Sequence, residues 1–446
     1  MAFRHNGWVA CRQNGLENHV LPAVATRMTT TSKTLFPALM LGLMSSLWAA
    51  PSASLVWEAS IEEAVAGNPE LRAARANVTA AGHTASAAHS GNLPQLSAGA
   101  GYSDSSGSAT TTGTNYSTSL ALSQNLFSGF QDSARIEQGA AALAQTEAGL
   151  ASIKARLSQE LKSAFAGLQF AQDNVTLTDK IVQRLAENLR LVELRFEGGR
   201  ENKGSLLLTQ ATLAQARYEN LQARQTLASA QAQLARVLGR GEPAGLQVIG
   251  GVPVTTPETA PDFPQLVQQI PELLQARAQE RSAVADVTLA RSGFYPSVDV
   301  TGSVAREGED WTPDSDRRTV GLNLSVPLFS GGRDYYTTKS AVASLEAASS
   351  NRDNLERQLL VRLKQAWAGY VESEEKLKVD RAFLEAAILR AEIARSRYNN
   401  GLMSFEDWDR IENDLIQRQK TVLQSQRDRV TAEAAWEQAQ GKGVIP

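Results

Sequence analysis

The sequence repeats itself once, and this duplication limits the possible fold more than any other feature. Short segments recur at one constant spacing of 202 residues. The matched segments are Asn68–Leu71 with Ile270–Leu273, Ala74–Arg75 with Ala276–Arg277, Leu93–Pro94 with Tyr295–Pro296, Leu126–Gly129 with Leu328–Gly331, Ala164–Gly167 with Ala366–Gly369, and Arg195, Phe196 and Gly199 with Arg397, Tyr398 and Gly401. Chance matches would not hold one spacing over about 130 positions, so each half must carry the same order of elements.

Each half opens with a predicted helix, and two predicted strands follow it. The helices are expected at about 60–90 and 263–292. The alternation of apolar and polar residues is clearest in the last segment. There one face of a strand carries Val320, Leu322, Leu324 and Val326. A period of two over about ten residues indicates a strand. We predict strands at about 94–104, 115–127, 296–306 and 318–329.

A helix of unusual length follows each strand pair. No proline occurs between Asp132 and Phe196, and an apolar seam with helical spacing runs through this segment. A helix over 132–196 would be roughly 100 Å long. The next predicted helix, 205–238, carries two apolar heptad rows and so needs neighbours on both sides, as in a ring of helices. The second half repeats the pattern at 333–399 and 404–440.

The duplication also sets the predicted boundaries. Repeats are expected at 54–238 and 263–440, with a short tail at 441–446. Residues 239–262 are rich in proline and glycine, cannot continue a helix and are predicted to form a connector. The stretch from Leu246 to Val254 could add short local structure to that connector.

Residues 1–53 are interpreted as a leader and signal peptide. Lys33 precedes an apolar run that ends in small residues, and the signal could start at Met28. Residues 1–27 would then be an over-extended gene start or an unusual leader, with an N-terminal domain as the alternative. A membrane anchor is the other reading, but the run is shorter than the ~20 residues a spanning helix needs. The only cysteine, Cys11, lies in this leader, so no disulfide, thiolate metal site or lipidated cysteine is expected after it.

Charge and motifs favour neither nucleic-acid binding nor catalysis. The formal net charge of −3 is mildly acidic, which gives no support to nucleic-acid binding. His83 and His89 are the only histidines beyond the leader, and their spacing does not suit a helical metal pair. The sequence has no phosphate loop, nucleophile elbow or Cys–His pairing. We therefore expect no cofactor, no metal and no enzymatic activity.

The strands favour a membrane environment. Their apolar faces alternate with Ser, Thr, Asn, Gly and Asp, as in a barrel wall between lipid and water. A soluble sheet is the alternative, but these helices are far too long for a small four-stranded sheet to cover. A barrel in lipid must close, and about eight strands make the smallest closed barrel, which side chains fill. Three copies would supply twelve strands and a passage, although strand number alone does not exclude four copies.

The chain resembles the TolC-like outer-membrane efflux protein family. The resemblance rests on the duplicated order, on Asn-Pro-Glu at 68–70, on the Leu-Phe-Ser-Gly strand exits and on the Arg-(Phe/Tyr)-x-x-Gly helix turns, and it covers about residues 55–440. It implies a mixed α+β membrane protein that assembles as a homotrimer. Four strands per chain would build a shared twelve-stranded β-barrel in the outer membrane of a Gram-negative bacterium, and long antiparallel helices would form a periplasmic α-barrel.

The resemblance also implies partners and cargo. Such a channel would dock onto a periplasmic adaptor protein and an inner-membrane transporter of the ABC or resistance-nodulation type. It would serve as the exit duct of a tripartite efflux or type I secretion system for drugs, small toxic molecules or unfolded polypeptides. The alternative is a periplasmic coiled-coil structural protein without channel activity. That alternative explains the heptads but not the duplicated strands.

The resemblance places a pore entrance at the far helix ends. Asp407 matches a family aspartate that lines the constriction, with Glu406 and Asp409 as further carboxylates, and a carboxylate ring favours cations. A helix-capping role for Ser404 and Asp407 is the alternative. The sequence departs from the family here. Arg410 replaces a second pore aspartate, Met403 replaces a gate arginine, and Ser205 stands where the first half can carry a partner aspartate.

Adaptor docking is expected on the two turns at the same helix ends. The candidate residues are Arg195, Phe196, Gly199, Arg397, Tyr398 and Gly401. The two glycines have an equally good structural explanation, because a left-handed glycine commonly ends a helix. Phe196 and Tyr398 could instead pack between helices.

Overall fold

The computed structural model describes residues 54–105, 113–241, 245–257 and 259–446. The predicted signal peptide, with Met28 and Cys11, lies outside the described residues. The two repeats of the sequence form the same kinds of elements in the same order. The first set of elements is β1 (Ser54–Leu55), α1 (Trp57–Gly67), α2 (Pro69–Ala88), β2 (Gln95–Ser105), β3 (Gly113–Phe127), α3 (Gln131–Glu197) and α4 (Lys203–Leu238). The second set is β4 (Gln247–Val248), α5 (Phe263–Val267), α6 (Pro271–Ser292), β5 (Ser297–Gly308), β6 (Ser315–Ser325), α7 (Arg333–Asn399) and α8 (Phe405–Ala439).

The helix predicted at the start of each half is broken in the structure. The break falls before Pro69 in the first half and before Pro271 in the second. Proline has no N–H to donate and disfavours helical backbone at the residue before it. The Asn68 side chain caps the new start by accepting hydrogen bonds from the N–H groups of Glu70 at 2.9 Å and Leu71 at 3.1 Å.

The last predicted strand, 318–329, also differs from the structure. It begins at Ser315 and ends at Ser325. Pro327 cannot donate to a strand ladder, so the apolar residues beyond it leave the sheet although their pattern is strand-like.

The four long strands form one antiparallel sheet in the order β2–β3–β5–β6. The junction between the two repeats is the β3–β5 pair, in which Leu120 lies opposite Val304. Even-numbered residues share one face, where Leu96, Tyr102, Leu120, Leu322 and Leu324 are all at least 45% exposed. Within the part of the chain that the structure describes, this sheet therefore has an uncovered apolar face and two unpaired edges, β2 and β6.

The long helices lie side by side in a row. Toward the helix ends farthest from the sheet, α4 packs on α3, α3 on α8 and α8 on α7. Nearer the sheet, α2 and α6 pack on α3, and α6 also packs on α7. Apolar side chains remain exposed on the two outer helices: Leu207, Leu208, Tyr218 and Leu221 on α4, and Val361, Val379, Phe383, Leu389 and Ile393 on α7. Among the described helices, none has a stretch long and apolar enough to cross a bilayer.

Two apolar clusters hold the middle of the row. One packs Trp57 edge-on against Phe165, with ring centres 5.4 Å apart. The other surrounds Leu363 and Tyr370 with Ile270 and Trp436. Phe165 is equivalent to Trp367 by the 202-residue spacing, so the duplication extends to the position of the core. Full burial of each such large apolar side chain contributes roughly 1.5–3 kcal/mol.

The connector is clamped to the second pair of long helices at Thr255. Its N–H and hydroxyl donate to the Glu433 carboxylate, each at 3.1 Å. Its carbonyl accepts from the Tyr370 hydroxyl at 2.6 Å and from Arg429 at 3.0 Å. Arg429 is held in turn by an ion pair with Glu374. The buried Arg429 is therefore paired with Glu374, the buried Glu433 carboxylate accepts hydrogen bonds from Thr255, and these contacts fix the connector in place.

Candidate functional site at the helix tips

Both helix tips use the same backbone turn. Gly199 and Gly401 have positive φ angles of 68° and 72°, which glycine adopts without strain. In the first turn Arg200 donates to the Arg195 carbonyl at 2.8 Å, and in the second Leu402 donates to the Arg397 carbonyl at 2.9 Å. These bonds are the Schellman pattern that ends a helix. The structural role expected for the two glycines is therefore present.

The helices leaving the turns are capped by side chains. Asn202 accepts from the Ser205 N–H at 2.9 Å, and the Ser404 hydroxyl accepts from the Asp407 N–H at 3.1 Å. The Ser404 hydroxyl also donates to the Asp407 carboxylate at 3.0 Å. Asp407 thus closes a capping arrangement while its side chain stays exposed.

The three candidate pore carboxylates lie within one turn of each other at the start of α8. Glu406 and Asp407 are exposed, and Asp409 is partly buried. Burial, and next the Glu412 carboxylate, raise the pKa of Asp409, while a hydrogen bond from Asn413 at 3.0 Å acts in the opposite direction. The three carboxylates lie close together because they share the start of α8, and their place at a pore entrance stays a prediction.

The two tips are joined by an aromatic stack that sequence reasoning did not foresee. The Tyr398 ring lies parallel to the Trp408 ring, with centres 4.3 Å apart. The Arg195 guanidinium covers the other face of Tyr398 at 4.4 Å and donates to the Tyr398 carbonyl at 2.8 Å. Tyr398 and Trp408 are buried. This cation–π stack ties the end of α3 to the ends of α7 and α8.

A hydrogen bond completes the connection between the turns. The Tyr398 hydroxyl donates to the Glu201 carboxylate at 2.8 Å. Burial and then the Glu201 carboxylate raise the pKa of Tyr398 far above its ordinary value, against the opposing effect of Arg195. The phenol therefore stays protonated and able to donate. We name Arg195, Glu201, Tyr398 and Trp408 the tip latch.

Sequence reasoning missed Glu201 and Trp408. Their equivalents in the other repeat are Met403 and Leu206, so the duplication gave no sign of a shared role. The only available signal was an acidic residue two positions after the turn glycine. The other docking candidates, Phe196 and Arg397, are exposed and remain predictions.

Above the latch, a buried ion pair joins the two repeats. Arg184 on α3 donates to both oxygens of Glu412 on α8, at 2.7 and 3.1 Å. Glu412 is only 2% exposed. The hydrogen bonds that Arg184 donates to this carboxylate raise the pKa of Arg184. The two-pronged geometry fixes the angle between α3 and α8 near the tip.

Comparison with known proteins identifies the family. Residues 60–240 and 263–442 match the model of the outer membrane efflux protein family. The chain belongs to this family. The two matched blocks correspond to the two copies of the duplication. Membership confirms the expected resemblance, the outer-membrane location, and a channel protein rather than an enzyme.

Individual relatives are distant. The alkaline protease secretion protein AprF of Pseudomonas aeruginosa is 26% identical over 281 residues, which are 61% of this chain and 58% of AprF. The outer membrane protein TolC of Escherichia coli is 25% identical over 334 residues, 67% of this chain and 64% of TolC. The matched region therefore spans less than two thirds of either relative. The efflux protein BepC of Brucella suis is 22% identical over 86% of this chain and 84% of BepC.

Solved structures confirm the predicted fold. The crystal structure of CusC superposes with a TM-score of 0.77 at 19% identity, over 86% of this chain and 92% of CusC. VceC of Vibrio cholerae gives a TM-score of 0.77 at 21% identity, over 87% of this chain and 96% of VceC. Long antiparallel helices with four antiparallel strands per chain are thus the shared architecture.

Proposed function

We propose that this chain is one subunit of an outer-membrane exit channel, in which three identical copies close a β-barrel in the membrane and a helical tunnel beneath it. One observation carries the proposal: the sheet and the helix row are both open at both ends. Among the described residues, the outer edges of β2 and β6 have no strand partner, and α4 and α7 expose apolar side chains. An open strand edge in lipid leaves backbone groups unpaired, so further copies must complete the wall.

The junction inside the chain gives the register of the junction between copies. Leu120 of β3 lies opposite Val304 of β5. Moving each residue by 202 positions gives Leu322 on β6 and Tyr102 on β2. Because the repeats share one element order, β6 should pair with β2 of the next copy so that Leu322 faces Tyr102.

This register can be tested by disulfide crosslinking. In a Cys11→Ser background, Tyr102→Cys with Leu322→Cys should oxidise to covalent dimers and trimers on a denaturing gel, because opposite strand residues lie close enough for a disulfide. Leu120→Cys with Val304→Cys is the matched control and should oxidise at monomer mass. Ser103→Cys with Leu322→Cys places the thiols on opposite faces and should not crosslink. Monomers alone from the first pair, with the control pair oxidised, would contradict the closure; a tetramer would correct the copy number.

We further propose that the tips are the closable end of the tunnel. The tip latch supports this assignment because it holds the two turns of one subunit together. Asp407, Glu406 and Asp409, repeated in each copy, would then form a carboxylate ring at the entrance. Such a ring attracts cations and retards anions.

The entrance assignment predicts a cation-selective current. In planar bilayers the purified protein should give pores that prefer cations, and Asp407→Arg should lower the cation-to-anion permeability ratio several-fold, because it reverses one charge per subunit. Lys203→Glu, on the first repeat's turn, is a control for charge change alone. A protein that extracts as a freely soluble rod without current would support the structural coiled-coil alternative. Unchanged cation preference in Asp407→Arg would reject the carboxylate ring but not the channel.

Family membership indicates the class of partners and cargo, and not the individual molecules. Membership implies a place in a tripartite efflux or type I secretion system. We propose a periplasmic adaptor as the docking partner at the tips. Arg195 and Tyr398 are engaged within the subunit, which leaves Phe196, Arg397 and the glycine turns as the contact surface. The inner-membrane transporter, ABC or resistance-nodulation, would determine whether polypeptides or small toxic molecules pass.

A further inference from the structure

An open pocket of about 350 Å³ lies where α6 ends and α7 begins. Its lining combines aromatic and cationic side chains: Arg291, Phe294, Tyr295, Tyr335, Thr338 and Lys339. The three aromatic residues are about half exposed, and the Lys339 ammonium lies 4.9 Å from the centre of the Tyr335 ring. This surface offers positive charge beside flat apolar rings.

The pocket is continuous with the apolar face of the sheet. Phe127 pairs with Val298 on that face. The Phe127 ring packs edge-on against Phe130, and Phe130 packs edge-on against Tyr295, each at 5.4 Å between centres. The aromatic row thus runs from the strands into the pocket. It marks the level at which the apolar strand surface gives way to helices.

The two cations of the pocket have no acidic partner within the described residues. Neither Arg291 nor Lys339 forms an ion pair there, and Lys339 lies against the Tyr335 ring. Asp334, the acidic neighbour of Tyr335 in sequence, pairs with Arg333 at 3.2 Å. Two uncompensated positive charges therefore flank the aromatic surface.

The duplicated fold does not require this pocket. The equivalent residues of the first repeat are His89, Asn92, Leu93, Ser133, Ile136 and Glu137. None of the aromatic rings recurs, and Glu137 reverses the charge of Lys339. The same helix–strand corner is thus built without an aromatic or strongly basic lining, which points to a ligand rather than to folding.

We propose that this pocket binds the headgroup of an anionic phospholipid. Arg291 and Lys339 would hold the phosphate, and the aromatic rings would lie against the glycerol and the first carbons of the acyl chains, which continue along the strand face. Guanidinium groups recognise phosphate through paired hydrogen bonds, and aromatic residues prefer the membrane interface. Basic pockets at this depth favour anionic headgroups. The proposal rests on the proposed function, because that function places the strands in a membrane.

Native mass spectrometry of the detergent-solubilised full chain can test the site. The protein is titrated with phosphatidylglycerol and, separately, phosphatidylcholine of the same acyl chains. The wild type should retain phosphatidylglycerol more tightly. The double variant Arg291→Gln with Lys339→Gln should weaken that retention about tenfold or more, the size expected for two basic residues at an anionic interface. Lys180→Gln with Arg190→Gln removes the same charge from the last third of α3, far from the sheet, and should leave retention unchanged.

Several outcomes would overturn the site. Equal retention of the two lipids, or unchanged retention in the pocket variant, rejects it. Displacement of the bound species by millimolar inorganic phosphate would show a free-anion site instead. Tyr335→Ser, which keeps both cations, should also lower retention; no effect would reject the role of the rings. Current measurements in planar bilayers separate this test from the channel proposal. A wild type that conducts but shows no lipid selectivity would reject the lipid site alone. A wild type that does not conduct would reject the channel.

Discussion

Tyr398→Phe and Glu201→Gln are each expected to shift the tips of the assembled protein toward the open state. Tyr398→Phe removes the 2.8 Å hydrogen bond from the Tyr398 hydroxyl to the Glu201 carboxylate, and Glu201→Gln weakens it by replacing the charged acceptor with a neutral amide oxygen; both keep the shape of the side chain. A hydrogen bond to a charged group contributes roughly 1.5–3 kcal/mol, so the ratio of open to closed tips should rise roughly ten- to hundredfold in Tyr398→Phe and by a smaller factor in Glu201→Gln. Single-channel recording in planar bilayers measures this as open probability and conductance.

A matched control separates the latch from general effects. Glu197→Gln neutralises an exposed carboxylate at the end of α3 and should not change open probability. If Tyr398→Phe leaves open probability as unchanged as Glu197→Gln does, the tip latch does not close the channel.

The hydrogen bond of the tip latch should also persist at alkaline pH. The pKa of Tyr398 is raised by burial, so the protonated phenol is the form the folded tip favours. A raised pKa contributes stability that is present below the ordinary tyrosine value of about 10 and is lost only as pH rises through the higher folded value. Open probability should therefore not increase through ionisation of Tyr398 below about pH 10.

Arg184→Ala is expected to cause a large loss of stability, because it breaks the buried ion pair between α3 and α8. The variant leaves the Glu412 carboxylate, 2% exposed, without its two-pronged partner. Asp409, whose pKa is raised partly by Glu412, would then lie beside a Glu412 carboxylate that has lost its cationic partner. Breaking a buried pair from one side costs about 3–5 kcal/mol. Thermal unfolding in detergent, followed by circular dichroism, measures the loss.

An exposed ion pair provides the control for Arg184. Arg224 pairs with Asp179 at 2.9 Å, with side chains 56% and 43% exposed. Arg224→Ala should cost less than about 1 kcal/mol. The double variant Arg184→Leu with Glu412→Leu should recover much of the loss, because it removes both buried charges. A double variant as unstable as Arg184→Ala would show that the cost comes from packing and not from the unpaired carboxylate.

Local patterns predicted the long elements well. Helices α3 and α7 each span 67 residues, because the absence of proline and the continuous apolar seam are signals that repeat every turn. The strands were equally visible through their alternation, except beyond Ser325, where Pro327 overrides an apolar pattern. The helix breaks before Pro69 and Pro271 were missed although proline marks both.

The tip latch could not be predicted in the same way. Arg195 and Tyr398 are 203 positions apart, and their stack forms only because two helix pairs end at the same level. The duplication suggested equal roles for Phe196 and Tyr398, yet Phe196 is 38% exposed and Tyr398 is fully buried. Repeated sequence therefore predicts repeated backbone, whereas the side chains at a junction depend on what lies across it.

In the proposed channel, the Thr255 clamp would determine how far the tunnel mouth can move. Tyr370, which grips the Thr255 carbonyl, lies 28 residues above Tyr398 on α7, or about 42 Å along the helix. With the clamp as a fulcrum, α7 and α8 act as a lever: a tilt of about 10° would carry the tip by about 7 Å, since displacement grows with arm length. In the proposed channel, a few broken contacts at the tips would thus widen the entrance by more than the width of a water molecule, while the proposed barrel stays still.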